Sequence, residues 1–192
     1  MLTRHLERVD TEESSKDMSV QWNTKDRKIY NFNPYLSDLT EKSELKVKSK
    51  LRTKDIKCIY TSPYLRCMQT AIKYSSINGE IPIVVDFALG EFVDEYIMFD
   101  VSFPLEMTKI YTQSVDFLTK TNIKPHTFTG GVFTGVFTGV FTGVFTKFET
   151  EEEYCDRLRN AIMNYPSNSL IVTHADALLA FPNSGFFTPL HI

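Results

Sequence analysis

The sequence predicts an α/β protein, a three-layer sandwich whose mostly parallel central sheet is flanked by helices, and one pattern met three times carries that prediction. Apolar runs at Met1-Leu2-Thr3, Ile56 to Thr61 and Leu170 to Thr173 each end on threonine. Each is followed by a polar cluster and then a helix-like stretch, respectively RHLERVD, SPYLRCMQTAIKY and HADALLAF, which is strand, loop and helix in order. The 192 residues, 42% hydrophobic and 23% charged, are enough for one globular domain with a sizeable core and too few for two ordinary ones. Residues 1–192 are therefore read as a single domain.

The remaining elements follow from local signals. A fourth strand is expected at Ile81 to Val85. Ser62-Pro63 places a capping hydroxyl before a proline at the first helical position, ahead of YLRCMQTAIKY. Thr150 to Glu153 has the form of a capping box, and Tyr154, Leu158, Ala161 and Ile162 recur as one apolar stripe that reads as core. A longer helix is expected over Leu105 to Thr119. A basic one is expected over Glu41 to Lys54, where EKSELKVKSKLRTK has the pattern of a solvated face.

Residues 127–148 are unlike the rest. They read TFTGGVFTGVFTGVFTGVFTKF, a V-F-T-G unit repeated almost without error, and hold five of the eight glycines. Glycine at every fourth position argues against helix, and units this short do not build a solenoid, whose repeats run to ~20 residues or more. The tract is read as a low-complexity insert in a surface loop.

Charge and cysteine content exclude several classes. With 21 Lys+Arg against 24 Asp+Glu the net charge is -3, which lacks the global basic field that nucleic acid selects. Cys58, Cys67 and Cys155 are an odd set with no C-x-x-C pair, which fits a reducing compartment rather than a disulfide framework or a cysteine zinc site. The charged first residues lack the apolar core of a signal peptide, and no apolar run approaches the ~18 residues that span a bilayer. A cytoplasmic protein without nucleic-acid or membrane partners is the expectation.

In open α/β sheets ligands bind beyond the carboxyl ends of the strands, where the clusters after Thr3, Thr61 and Thr173 converge. They supply Arg4, His5, Arg8, Arg66 and His174. Guanidinium forks match phosphate oxygens in pairs, and helix amides add positive potential, so the set reads as a phosphate site. Among the other candidates, His126 and His191 read as solvent-exposed, and Trp22 and Tyr30 either as substrate-lining residues or as core or rim packing. Glu7 and Asp10 are expected to orient the neighbouring arginines. Cys67 has two readings, a small buried hydrophobe or a thiol whose pKa is lowered at a helix start.

Four motifs run in order through the chain: T-R-H-x-E-R-V-D at 3–10, N-P-x-L-S-x-L-T-E-K at 33–42, Y-T-S-P-Y-L-R-C-x-Q-T-A at 60–71, and V-T-H-A at 172–175. They resemble the histidine phosphatase superfamily, of phosphoglycerate mutase-like fold, and most of all the phosphatase domain of the suppressor-of-T-cell-receptor-signalling proteins. The resemblance implies that His5 is the nucleophile and forms a phosphohistidine that water hydrolyses. Arg4, Arg8, Arg66 and His174 would hold the phosphoryl oxygens, with no metal or other cofactor. Glu91 would be the general acid, with Asp94 and Glu95 as rivals. The substrate would be a phosphorylated small molecule or phosphoprotein, and pairing of two copies as a homodimer is in keeping with the family.

The sequence also departs from that pattern. Leu6 stands where the family has glycine, and either adopts an ordinary backbone conformation or costs strain of ~1 kcal/mol or more. Ser43 likewise replaces a common glycine. Against the family's strands the chain is expected to be truncated at both ends, before Arg4 and after HADALLAF, with Phe181 to Ile192 covering part of the gap. These departures keep two alternatives open, a catalytically impaired phosphate-binding pseudophosphatase and a phosphoglycerate mutase-type phosphotransferase.

Overall fold

The computed structural model describes residues 1–6, 8–9, 33–36, 55–92, 112–113, 116–117, 120–121 and 149–182. Four strands form one sheet: β1 (Leu2–Arg4), β2 (Cys58–Thr61), β3 (Ile83–Val85) and β4 (Ser169–Thr173), in the order β1-β4-β2-β3. Every pairing is parallel, with Arg4 opposite Thr173, Thr61 opposite Val172, and Thr61 also opposite Val85. β4 is buried along its whole length, as its unbroken apolar run requires of a strand covered on both faces.

Alternation along the strands divides the core. On one face Ile59, Leu170 and Val172 pack with Tyr64, Cys67, Ala71 and Tyr74, all from α1 (Leu65–Ile77) or its start. On the other, Leu2 and Ile171 pack with Tyr154 and Leu158 of α2 (Glu151–Met163) and with Ala177 and Ala180 of the short α3 (Ala177–Ala180). Helix, sheet and helices make three layers. The capping box at Thr150 is formed in both directions, Glu153 N–H to the Thr150 hydroxyl and Thr150 N–H to the Glu153 carboxylate. Tyr154 and Leu158 are fully buried, and Ala161 and Ile162 pack at the edge of the same cluster.

The register brings the carboxyl ends of the strands level. Beyond them His5 N–H donates to Thr173 O, Ser62 N–H to Val172 O and Asp86 N–H to Thr61 O, so the chain leaves the sheet at one edge while still paired. The threonines that end β2 and β4, and Thr3 one residue before the end of β1, are fully buried. The Thr173 hydroxyl reaches across to Leu89 O at 2.9 Å.

Two expectations are corrected. RHLERVD is not helical where it is described: Arg8 forms an isolated antiparallel bridge with Leu36, and Val9 N–H donates to Tyr35 O. Leu6 N–H goes to the Thr70 hydroxyl at 3.0 Å, so these amides serve other segments instead of the carbonyls four residues back. The second correction is at α1, which starts at Leu65, not at Pro63, and whose N-cap residue Tyr64 offers no side-chain cap. The cap comes from far away in sequence, the buried Asn33 carbonyl oxygen accepting from Leu65 N–H at 2.8 Å.

The described residues between 112 and 121 are helical, in keeping with the helix expected there. The basic helix at 41–54, Ser43, the repeat at 127–148, Trp22, Tyr30, Glu7, Asp10, His126, His191 and residues 183–192 lie outside the described residues. No helix among the described residues is long and apolar enough to cross a membrane.

Candidate functional site

His5 follows β1 directly and is 7% exposed. Its Nδ1 lies 2.6 Å from Leu6 O, and because a carbonyl only accepts, Nδ1 carries the proton. Nε2 therefore holds the lone pair whenever the ring is neutral. Burial first, then the Arg66 charge, hold the His5 pKa well below its ordinary value, with Arg4 and Arg8 adding to the effect and the Leu6 hydrogen bond opposing it. The ring is a neutral imidazole of fixed tautomer, which is the nucleophilic form.

Leu6 adopts the ordinary alternative. Glu80 is the sole non-glycine residue of positive φ among those described, so Leu6 carries no left-handed strain. Its side chain is 2% exposed and packs with Leu36, Tyr64 and Leu170.

His174 follows β4 and is fully buried, its ring 5.7 Å from that of His5 and edge-on to it. Arg66 Nη2 lies 3.2 Å from His174 Nδ1, and guanidinium only donates, so Nδ1 accepts and Nε2–H donates to the Ser62 hydroxyl at 2.8 Å. Burial, Arg66 and His5, in that order, lower the His174 pKa well below its ordinary value. The 3.7 Å approach of Glu91 to Nδ1 is thus the contact of a carboxylate with a neutral ring, not an ion pair. Ser62, read from the sequence as a helix cap, instead accepts from the Nε2–H that the Arg66 contact leaves on His174.

Arg66, in the first turn of α1, is 1% exposed and ties the site together. Nη2 donates to Glu91 Oε2 at 2.5 Å as well as to His174, using both its hydrogens, and the guanidinium lies 4.6 Å from the centre of the Tyr64 ring. Burial opposes its charge, but Glu91 outweighs that and the Arg66 pKa is raised. Nε and Nη1 are buried with no hydrogen-bond partner among the described residues. Unpartnered donors on a buried cation are costly, so this arrangement fits a site completed by an anion.

The structure thus brings His5, Arg66, Glu91 and His174 into one cluster. Arg4 ends β1 with its side chain exposed, and Arg8 is half-buried at the Leu36 bridge; both reach His5 through their charge. Asp94 and Glu95 lie outside the described residues. Cys67 takes the inert alternative: burial pushes its thiol up to about 12, and Sγ sits 3.6 Å from both Thr173 O and His174 Nε2.

Sequence reading missed Asn33, Arg157 and Asp176. Arg157 of α2 donates through Nη1 to Ala88 O at 2.8 Å and Gly90 O at 3.4 Å, and its other nitrogens pair with Glu149. Asp176 is the N-cap residue of α3, two residues beyond His174, and burial first, then Glu91, push its carboxyl above the usual range. Asn33 stands inside a quoted motif and Asp176 directly follows another. That placement was the available signal, while the partners lie far off in the chain.

The model of the histidine phosphatase superfamily, branch 1, matches residues 19–94, a stretch that includes Arg66 and Glu91 but neither His5 nor His174. No curated protein matches the chain. Similar solved structures include the mycobacterial hydrolase 1, at 16% identity and a TM-score of 0.47, with 94% of this chain and 75% of that one covered. A mycobacterial glucosyl-3-phosphoglycerate phosphatase is similar at 14% identity and a TM-score of 0.45, covering 94% and 76%. A phosphoglycerate mutase from Plasmodium falciparum follows at 16% and 0.41, covering 94% and 70%.

Proposed function

We propose that this chain is a histidine phosphatase, a hydrolase of phosphomonoesters that works through a phosphohistidine on His5 without a metal ion. The observation that carries the reading is the buried Arg66 guanidinium, whose Nε and Nη1 have no hydrogen-bond partner among the described residues, beside a neutral His5 whose Nδ1–H is committed to Leu6 O. A cation with spare donors next to a nucleophile suits a phosphoryl dianion.

In the first step Glu91 enters as the carboxylic acid, a phosphoryl oxygen having taken its place on Arg66; the Nε2 lone pair attacks phosphorus, the bond from phosphorus to the leaving oxygen breaks, and that oxygen takes the Glu91 proton, which the second step restores. In the second, Glu91 takes a proton from water, the resulting hydroxide oxygen bonds to phosphorus, and the P–N electron pair returns to Nε2, releasing inorganic phosphate. Arg66, with Arg4, Arg8 and His174, stabilises charge on the phosphoryl oxygens. His174 in its present tautomer would have to rotate or exchange its Ser62 partner to donate directly. The proposal includes a suppressor-of-T-cell-receptor-signalling-like phosphatase, on the four motifs, as one domain with an insert at 127–148 and a cytoplasmic setting.

The test is hydrolysis of p-nitrophenyl phosphate in the presence of chelator, by the unaltered chain and by His5→Ala. The reading expects turnover that chelator leaves intact and His5→Ala abolishes. Phosphate binding without turnover would favour the pseudophosphatase. Turnover restored by a bisphosphate would favour the mutase.

A further inference from the structure

Between β3 and Glu91 the chain makes a 3-10 turn, Phe87–Leu89, and a helix end leaves carbonyls without a partner of their own. Other elements claim them. Ala88 O accepts from Arg157 Nη1 at 2.8 Å, Leu89 O from the Thr173 hydroxyl at 2.9 Å, and Gly90 O, the last carbonyl before Glu91, from Arg157 Nη1 at 3.4 Å. The start of the turn is held by Asp86, whose carboxylate accepts from Ala88 N–H at 2.8 Å and from the Tyr165 hydroxyl at 2.6 Å. Arg157 is itself fixed: Nε donates to Glu149 Oε2 at 2.9 Å, Nη2 donates to Glu149 Oε1, and the guanidinium lies 5.0 Å from the centre of the Tyr154 ring. Tyr154 in turn packs 5.2 Å from the Phe92 ring, on the far side of Glu91.

We propose that Arg157 is a positioning residue, which holds Ala88 O and Gly90 O from α2 and so fixes the backbone that presents the Glu91 carboxyl to the site. The inference rests on the reading of Glu91 as the proton donor. In the structure Glu91 Oε2 meets Arg66 Nη2 at 2.5 Å, and Oε1 lies 3.7 Å from His174 Nδ1. During the reaction a phosphoryl oxygen takes the place of that carboxyl on Arg66, so Arg66 does not hold Glu91 while the proton moves. The backbone leading into Glu91 then sets where the carboxyl stands, and a misplacement of about 1 Å costs up to about 100-fold in rate. A guanidinium suits the task because its planar fork serves a carboxylate along one edge and carbonyls along another, whereas an ammonium is a single point of attachment.

The experiment compares Arg157→Ala and Arg157→Lys with the unaltered chain by kcat/KM, which reports the steps up to transfer onto His5, on two substrates. Nitrophenolate leaves without help, whereas an alkoxide needs the proton that Glu91 supplies. Arg157→Ala is expected to lose at least about tenfold more on a simple alkyl phosphate than on p-nitrophenyl phosphate, within the ~100-fold or greater worth of general acid catalysis. Arg157→Lys, which keeps the charge and one attachment, is expected to lose about threefold more. In a Glu91→Gln background Arg157→Ala is expected to add no further difference between the substrates. Equal losses on both substrates, no loss, or a further difference in that background overturns the inference. Amide hydrogen exchange gives a readout independent of turnover. The Ala88 and Leu89 amides, both bonded to Asp86, are expected to speed up in Arg157→Ala at least about tenfold more than the Ile59 amide of β2, which reports the core. Equal acceleration in both places, or none, overturns it. Where the alanine variant does not fold, Arg157→Lys is read in the same way, with about threefold as the expected excess and equality again overturning it. If the unaltered chain hydrolyses neither substrate, the hydrolase reading fails and the exchange comparison still decides whether Arg157 holds the segment.

Discussion

Tautomers at the two imidazoles follow from what each nitrogen faces, a carbonyl at His5 Nδ1 and a guanidinium at His174 Nδ1. Because the His5 pKa is lowered, the lone pair survives below the ordinary value of 6.5. The acid limb of kcat/KM that reports His5 is therefore expected below pH 6.5, and a limb at or above that value would contradict the burial argument. Arg66→Lys keeps charge but loses the planar fork, and is expected to reduce kcat/KM by about 10- to 100-fold, the worth of one charge-assisted hydrogen bond. Steady-state kinetics on p-nitrophenyl phosphate checks both. His5, Arg66 and His174 were legible in the sequence because each directly follows a strand end or lies in the first turn of the helix after one. Asn33 was not, because its meaning depends on an amide 32 positions later in the chain.

At the scale of elements, the strands were readable to within two residues because β-branched and apolar runs stand between polar clusters. RHLERVD misled because its i, i+4 spacing is helical while its amides are claimed by Thr70 and Tyr35. The start of α1 shows the same competition, with Ser62 drawn to His174 and the cap supplied by Asn33. Asn33→Ala is expected to lower stability by about 1–2 kcal/mol, since it leaves a helix amide without its acceptor in a buried place. Thr150→Ala, at an exposed cap, is expected to cost ~1 kcal/mol or less. Urea denaturation of the two variants checks the order, and a smaller loss at Asn33 than at Thr150 would contradict it.

For the whole molecule, three layers around a parallel sheet were legible because strand, loop and helix recur in the sequence, and the burial of β4 on both faces follows from its apolar run. The same layering buries two imidazoles, and stability then depends on pH. Below about 6.5 the unfolded chain binds protons that His5 and His174 refuse when folded, so stability is retained above that pH and falls as pH drops towards their lowered folded values. Asp176, raised when folded, acts in the opposite sense. His5→Asn removes one imidazole, and in the window just below pH 6.5 it is expected to flatten the dependence by up to about 1.4 kcal/mol per pH unit. Denaturation midpoints followed through that window measure the difference, and equal slopes would contradict it.

The central claim is that His5 Nε2 accepts the phosphoryl group. Rapid quenching of the chain during turnover of p-nitrophenyl phosphate, followed by peptide mass analysis at alkaline pH, tests it directly. The account predicts one acid-labile phosphoryl group on the peptide bearing His5, and its loss in His5→Ala. A phosphoryl group on another residue, or steady turnover with none on His5, would contradict it.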